Sequence, residues 1–255
     1  MSDNIPVIHA IPVLKDNYTW LLETSPGYAV LLDPGDGSAS VAALQRHHLT
    51  LTHILITHHH QDHIGGVSDL ARLTGAKVVG HALDAGRLPP LDLACHDGDS
   101  LTLGPWTCEV LATPGHTIGH VVYRIADALF TGDTLFSLGC GRLFEGTPAM
   151  MWDSMKKLRG LSGIQRIFPA HEYTLANLGF VLQLEPGNPF LSSFREWVHQ
   201  QTDLGVPTLP TTMERELRCN PFLRADETDF AARIGLGGKT GVEVFTHIRT
   251  MRNHY

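Results

Sequence analysis

The sequence predicts an α+β protein with a sandwich-like catalytic core followed by a smaller helical domain. Two features of the chain carry that prediction. Along the first two thirds, short apolar strands repeatedly end in a turn that presents His or Asp: at His58 to His63, at His116, at Asp133 and at His171. From about Tyr173 onward the pattern becomes helical, broken by Glu185-Pro186-Gly187-Asn188-Pro189 and Gly205-Val206-Pro207. The reading therefore divides the chain into residues 1–172 and residues 173–255.

The first segments, Val7–Val13 and Tyr18–Glu23, read as two strands separated by a Lys15-Asp16-Asn17 turn. Ala29–Asp33 is a third, closed by Pro34-Gly35-Asp36-Gly37. Asp33 ends that buried run, where a carboxylate is a ligand itself, supports a neighbouring ligand or caps the turn; support or capping is the preferred reading, because the other motifs already fill two metal sites. A helix follows over Ser40–His48, then the β-branched strand Leu51–Ile56. This strand delivers Thr57-His58-His59-His60-Gln61-Asp62-His63, and Gly65-Gly66 lead into helical spacing over Val67–Leu73. In α/β folds the junction from strand to helix is where ligands and catalytic groups are presented.

Four donors within six residues, His58, His60, Asp62 and His63, do not share one helix face. In a turn they converge from two directions, which suits two adjacent metal ions. A histidine tract also occurs as a tag or solvated loop, but this one is internal, interrupted by Gln61-Asp62 and framed by a strand and a glycine pair. His59 falls outside the converging set and is assigned to supporting the turn.

Lys77–Gly80, Leu101–Leu103 and Thr107–Ala112 continue the strands, the last leading to Thr113-Pro114-Gly115-His116. Val121–Ile125 and Ala128–Phe130 follow, the second running into Thr131-Gly132-Asp133, and Gln165–Ala170 carries His171-Glu172-Tyr173. Phe190–Gln201 and Glu227–Ile234 have helical apolar spacing. His120 is expected in the core or behind a ligand, and His47, His48, His81 and His199 at the surface.

The bulk properties narrow the class. At 255 residues with 43% hydrophobic and 18% charged residues, the chain has the composition of a globular protein large enough to bury a core unaided. A formal charge of −7 argues against a nucleic-acid surface. Cys95, Cys108, Cys140 and Cys219 form no CxxC pair, which predicts reduced thiols and a cytoplasmic location. Met1–Pro6 shows no secretory pattern, and no apolar run has the length of a membrane span. No GxSxG nucleophile elbow occurs, and Gly35-Asp36-Gly37 is not a dinucleotide fingerprint.

His58-His59-His60-Gln61-Asp62-His63, Thr113–Thr117, Thr131–Phe136 and Pro169–Tyr173 together resemble the metallo-β-lactamase superfamily. Within it the closest resemblance is to the glyoxalase II (hydroxyacylglutathione hydrolase) family. Gly139–Thr147, Asn220-Pro221-Phe222-Leu223-Arg224 and the ending Arg249-Thr250-Met251-Arg252 support it. The resemblance implies an αββα sandwich and a hydrolase that cleaves S-D-lactoylglutathione to glutathione and D-lactate. It implies one metal on His58, His60 and His116, a second on Asp62, His63 and His171, and Asp133 bridging the two. Imidazole and carboxylate donors admit zinc foremost, with iron or manganese as alternatives. Asp62 and Asp133 are the residues closest to the chemistry, Asp62 orienting the attacking water.

By the same resemblance Arg142, Phe144, Tyr173, Arg249 and Arg252 line the glutathione site. Phe144 stands where some relatives carry Tyr. Cys140 is assigned to packing, because the donor set is complete without it. The nearest alternative is a persulfide dioxygenase, a mononuclear iron oxidoreductase of the same superfamily. The expected partner is a small glutathione thioester, with no nucleic acid, no membrane and a monomeric state.

Overall fold

The computed structural model describes residues 5–255, so residues 1–4 of the Met1–Pro6 segment read for a secretory pattern lie outside the described residues. Contacts divide the chain into two compact units, one of residues 1–112 and 119–132, the other of residues 113–118 and 133–255.

In the first unit, β1 (Ile8–Val13), β2 (Asn17–Ser25) and β3 (Tyr28–Leu32) form an antiparallel meander. Helix α1 (Gly37–Arg46) then crosses back to β4 (Thr50–Leu55), which runs parallel to β3 with Leu31 beside Ile54 and Leu32 beside Leu55. Parallel pairing requires such a crossover and buries both strand faces, which is why Ala29–Leu32 and Ile54–Ile56 are uninterrupted apolar runs. Past β4 come α2 (Gln61–Ile64), α3 (Val67–Thr74), the parallel strand β5 (Lys77–His81) and β6 (Leu93–Cys95). Helices α1 and α3 bury Ala43, Leu44, Val67 and Leu70 against this sheet, in one cluster with Ile11, Leu21, Leu31, Ile54 and Val78.

A second, antiparallel array follows: β7 (Ser100–Leu103), β8 (Trp106–Ala112), β9 (Val121–Ile125) and β10 (Ala128–Gly132). The buried Tyr123 hydroxyl donates to Ile56 O at 2.8 Å, and Val121 N–H donates to Thr57 O at 2.9 Å. The first unit thus has a helix layer on a mixed sheet, with β9 tied by hydrogen bonds to the end of β4.

The α1 N-terminus lies three residues earlier than the sequence pattern places it. The Asp36 side chain caps it, accepting from Ser38 N–H at 2.8 Å and Ala39 N–H at 3.2 Å. Gly35 in that turn touches the next: a Cβ there would lie 2.0 Å from Asp62 O. Only glycine lets the β3–α1 turn lie against α2, which carries Asp62 and His63.

The second unit contains the hairpin β11 (Leu135–Phe136) and β12 (Gly139–Cys140), helix α4 (Pro148–Arg159) and the pair β13 (Arg166–Pro169) with β14 (Thr211–Thr212). Its helices are α5 (Thr174–Leu184), α6 (Pro189–Asp203), α7 (Met213–Cys219), α8 (Thr228–Arg233) and α9 (Gly241–Asn253). Phe222 packs edge-on to Phe245 at 5.7 Å, and Trp152 lies 5.9 Å from Phe245, so α4, α9 and the Asn220–Arg224 segment share one aromatic core. Sequence reading missed α4, although Thr147 before Pro148 is a helix-start pair and Thr147 does cap Met150 N–H.

The β11–β12 hairpin is too short to stabilise itself and is held by α7. The fully buried Glu216 carboxylate accepts from Leu138 N–H at 2.8 Å and from the Thr211 hydroxyl at 2.6 Å. Asn220 Nδ2 donates to Phe136 O, Gly139 O and Glu216 Oε2 at 3.0–3.1 Å. Burial pushes the Glu216 carboxyl above its ordinary value, even against the lowering effect of Thr211, Leu138 and Asn220.

The folded state therefore holds the Glu216 proton more tightly than the unfolded chain. Ionisation costs stability as pH rises through the folded value, while the benefit of the neutral group is fully present in acid. Glu216→Ala, which strands Leu138 N–H, is expected to lower the unfolding free energy by about 2–4 kcal/mol in denaturant titrations. Glu216→Gln is expected to cost less and to flatten the pH dependence of stability above the ordinary carboxylate range.

Candidate metal centre and ligand cavity

In the first unit the polar chemistry starts at the carboxyl end of the parallel strands. Asp33, at φ +51° just past β3, turns its carboxylate toward the residues leaving β4. Oδ1 accepts from Thr57 N–H at 2.8 Å, and Oδ2 accepts from the Thr57 hydroxyl at 2.7 Å. His63 Nδ1 lies 3.1 Å from the same Oδ2, and Thr57 Oγ1 lies 3.0 Å from His58 Nδ1. With the Thr57 proton committed to Asp33, its oxygen accepts from His58 Nδ1–H; His63 Nδ1–H donates to Asp33. These assignments turn Nε2 of each ring toward the neighbouring donors His60 and Asp62. Asp33 thus holds Thr57 and His63 through both its oxygens.

His58 Nε2 and His60 Nδ1 come within 3.0 Å, and Asp62 Oδ2 lies 3.5 Å from His63 Nε2. His58 and His60 stand on extended chain, whereas Asp62 and His63 lie on α2, so the donors approach from two directions. Asn17 Nδ2 donates to Asp62 Oδ2 at 2.9 Å, a contribution that sequence reading missed because Asn17 looked like a turn residue. His120 is fully buried, its ring stacked on His58 at 5.0 Å. Gly132, at φ +47°, makes room: a Cβ there would meet Thr57 Oγ1 at 2.5 Å and His120 Nε2 at 2.8 Å.

His59 meets the His60 ring edge-on at 5.0 Å and has Nδ1 3.1 Å from Asp84 Oδ2; Asp84, fully buried, is also paired with Arg87. This anchoring carboxylate was not legible in sequence. His81 corrects the surface assignment: it is buried, and its Nδ1–H donates to Gly119 O at 3.0 Å.

In the second unit, Asp133 offers one oxygen to each of two rings. Oδ2 lies 3.3 Å from His116 Nε2, and Oδ1 lies 3.3 Å from His171 Nε2. A carboxylate divided in this way has the geometry of a ligand shared by two cations. His116 Nδ1–H donates to Arg142 O at 2.9 Å, again directing Nε2 to the donor side. Tyr173 stacks flat on His171 at 4.7 Å, and Phe144, 63% exposed, meets His116 edge-on at 5.2 Å. These oriented imidazoles and carboxylates form a donor set that fits borderline divalent metals.

Beside His116 and Asp133 the same unit contains a cavity of about 450 Å³, lined further by Cys140, Arg142, Tyr173, Asn177, Arg249 and Arg252. The sequence-predicted residues Arg142, Phe144, Tyr173, Arg249 and Arg252 all reach its wall. They do not do so alike. Arg249 is only 4% exposed, and its Nη1 donates to Cys140 O at 2.7 Å while Nη2 donates to Asn253 Oδ1 at 3.0 Å. It braces β12 as well as lining the cavity.

Arg252 is held through Asn177 Oδ1 at 3.2 Å, and Arg142 is exposed. Burial first, then the charges of Arg249 and Arg142, pull Arg252 below the ordinary arginine value. Burial pushes the Cys140 thiol up despite Arg249 and Arg252, which agrees with a packing role. Asn177, which donates to Ser137 O at 2.9 Å and also contacts Arg252, is a cavity residue that sequence reading missed.

Residues 14–187 match the family model of the metallo-β-lactamase superfamily, and residues 172–255 match the hydroxyacylglutathione hydrolase C-terminus. A protein named hydroxyacylglutathione hydrolase from Rhodospirillum rubrum is 44% identical over 251 residues, covering 97% of this chain and 98% of its own. One of the same name from Jannaschia sp. is 46% identical, covering 98% of this chain and 99% of its own. Among solved structures, that of TTHA1623 in a di-iron-bound form is similar with a TM-score of 0.60 and 26% identity, covering 86% of this chain and 99% of that one.

Asp33→Ala removes the acceptor of both Thr57 and His63. Bound metal in the purified variant, measured by elemental analysis against a competing chelator, is expected to be held about 10- to 100-fold less tightly than in the parent. Unchanged metal affinity would remove Asp33 from the ligand support.

Proposed function

The chain belongs to the hydroxyacylglutathione hydrolase family of the metallo-β-lactamase superfamily, and on that premise we propose that it hydrolyses S-D-lactoylglutathione to glutathione and D-lactate, the second step of methylglyoxal detoxification. The observation that carries this reading is the match of residues 172–255 to the hydrolase C-terminus, because the superfamily motifs alone do not select a substrate. The same match favours the thioesterase over the persulfide dioxygenase. In this reading residues 1–172 form the catalytic domain and residues 173–255 the substrate-binding domain. The enzyme is a cytoplasmic monomer whose partner is the small thioester; among the described residues no helix is long and apolar enough to cross a membrane.

His58, His60 and His116 are assigned to one divalent metal and Asp62, His63 and His171 to the other, with Asp133 shared. Zinc is the expected ion, and iron or manganese is compatible with the donors. The chemistry that such a pair supplies is polarisation of a carbonyl and a lowered pKa for water. The chain's own contribution is to hold the donors. Asp133 directs its two oxygens to different rings, and Asp62, held by Asn17, is assigned the role of orienting the attacking water, a role that its hydrogen bond supports.

The cavity supplies recognition. Its lining brings Arg142, Arg249 and Arg252 together with Asp133 as the one carboxylate. Such a surplus of cations suits a ligand with two carboxylates, as glutathione has, and guanidinium groups pair with carboxylates through parallel hydrogen bonds. Arg142 and Arg252 are the cations placed to contact substrate, while Arg249 contributes charge and holds the β12 main chain. Tyr173 and Phe144 offer aromatic walls. The departing glutathione thiolate is a good leaving group, so no strong general acid is required.

Purified protein mixed with S-D-lactoylglutathione is expected to consume the thioester in a chelator-sensitive manner, with about two metals per chain. Asp133→Ala is expected to lose more than about 100-fold in kcat/KM together with bound metal. Full activity in that variant would sink the assignment. Arg252→Ala is expected to raise KM about tenfold or more with a smaller change in kcat, the mark of lost ground-state binding.

A further inference from the structure

Away from these donors, three metal-binding side chains meet on the surface of the first unit. His9 lies on β1, Glu23 on the neighbouring strand β2, and His47 at the C-cap of α1. The antiparallel register sets His9 opposite Leu21, so Glu23 is its diagonal cross-strand neighbour. His9 Nε2 lies 2.7 Å from Glu23 Oε1, and the His9 and His47 rings meet at a tilt of 34° with centroids 4.0 Å apart. One donor atom from each of the three lies within 4.8 Å of the others, and none of the three residues is buried.

We propose that His9, Glu23 and His47 form a separate surface site for a borderline divalent transition-metal ion such as Zn²⁺. Two imidazoles and a carboxylate are a donor set that zinc accepts, with solvent completing the tetrahedron. Ligand atoms about 2.0–2.2 Å from one ion stand a little over 3 Å apart, so rotamer adjustment of the exposed His47 closes this trio onto a single ion. Electrostatics point the same way. The Glu23 carboxylate and the carbonyl end of the α1 dipole both favour positive charge at this spot.

The bound ion ties the β1–β2 hairpin to the end of α1. These segments are far apart in sequence, and an ion that binds only the native state raises its stability.

The test titrates the holoenzyme, its tighter metals already loaded, with Zn²⁺ against a chromophoric chelator of micromolar affinity. One further equivalent is expected in the parent chain. His47→Ala and His9→Ala are expected to weaken that equivalent by at least about tenfold, and Glu23→Gln by a similar factor, since each removes one of three protein ligands. Added Zn²⁺ is expected to raise the thermal midpoint of the parent by a few degrees and to leave that of His47→Ala unmoved. Because His47 is at the surface, its variant should fold like the parent without added zinc; if His9→Ala does not, His47→Ala and Glu23→Gln carry the test. The proposal is overturned if the parent takes up no further equivalent at about 100 µM free Zn²⁺, or if the variants retain it with unchanged affinity. The count of weak equivalents does not depend on thioester turnover, so its failure is distinguishable from failure of the hydrolase reading.

Discussion

The polar chemistry of the first unit depends on one buried carboxylate. Asp33 is placed by the end of β3, and it meets two donors from Thr57 and one from His63. A buried carboxyl group in such a place is tolerated because each oxygen is hydrogen-bonded. The cost of its left-handed backbone is modest, of order 1–3 kcal/mol, and the surrounding hydrogen bonds and packing offset it. In return the strand termini of β3 and β4 are locked in register. The lone pairs of His58 and His63 are fixed as well, before any cation arrives.

The second unit solves a different problem, that of holding several like charges together. Arg142, Arg249 and Arg252 share one cavity wall, and their mutual repulsion is relieved by neutral acceptors: Cys140 O, Asn253 and Asn177. Main-chain carbonyls and amides orient guanidinium groups without cancelling their charge, so the attraction for an anion survives. Had Asp or Glu occupied the place of Asn177, Arg252 would be neutralised in the resting enzyme. The buried Glu216 is not part of the cavity lining and is bonded instead to Leu138, Thr211 and Asn220. There it fixes the main chain and does not compete for the cavity's cations.

How much of this was legible follows from the range over which each signal acts. The α+β class, the strands bearing ligands and the donor motifs are local, since a strand, a turn and a His or Asp are contiguous in sequence. Asp33 was readable for that reason, because a carboxylate closing an apolar strand is conspicuous. Asn17, Asp84, Asn177 and Glu216 were not. Each acts on a residue 25 to 78 positions away, through contacts that only the folded chain creates. His81 misled because histidine is tolerated at surface and core alike, and only its bond to Gly119 O decides between them. Arg249 shows the same limit: its sequence place marks a cavity residue, but its hydrogen bonds give it a bracing role as well.

Preorganisation separates the two kinds of donor set in this chain. At His58, His63 and His116, the ring nitrogen opposite the donor is held by Thr57, Asp33 and Arg142 O, so tautomer and ring plane are set in advance. Among the described residues the contacts of the His9 ring are Glu23 and the tilted ring of His47. An ion settling on that trio must order exposed side chains as it binds, and each costs rotamer freedom. Two donor sets built from the same side-chain types therefore differ in preorganisation for a reason outside the donors themselves. The number of hydrogen bonds behind the donors sets how much ordering is left for the metal to accomplish.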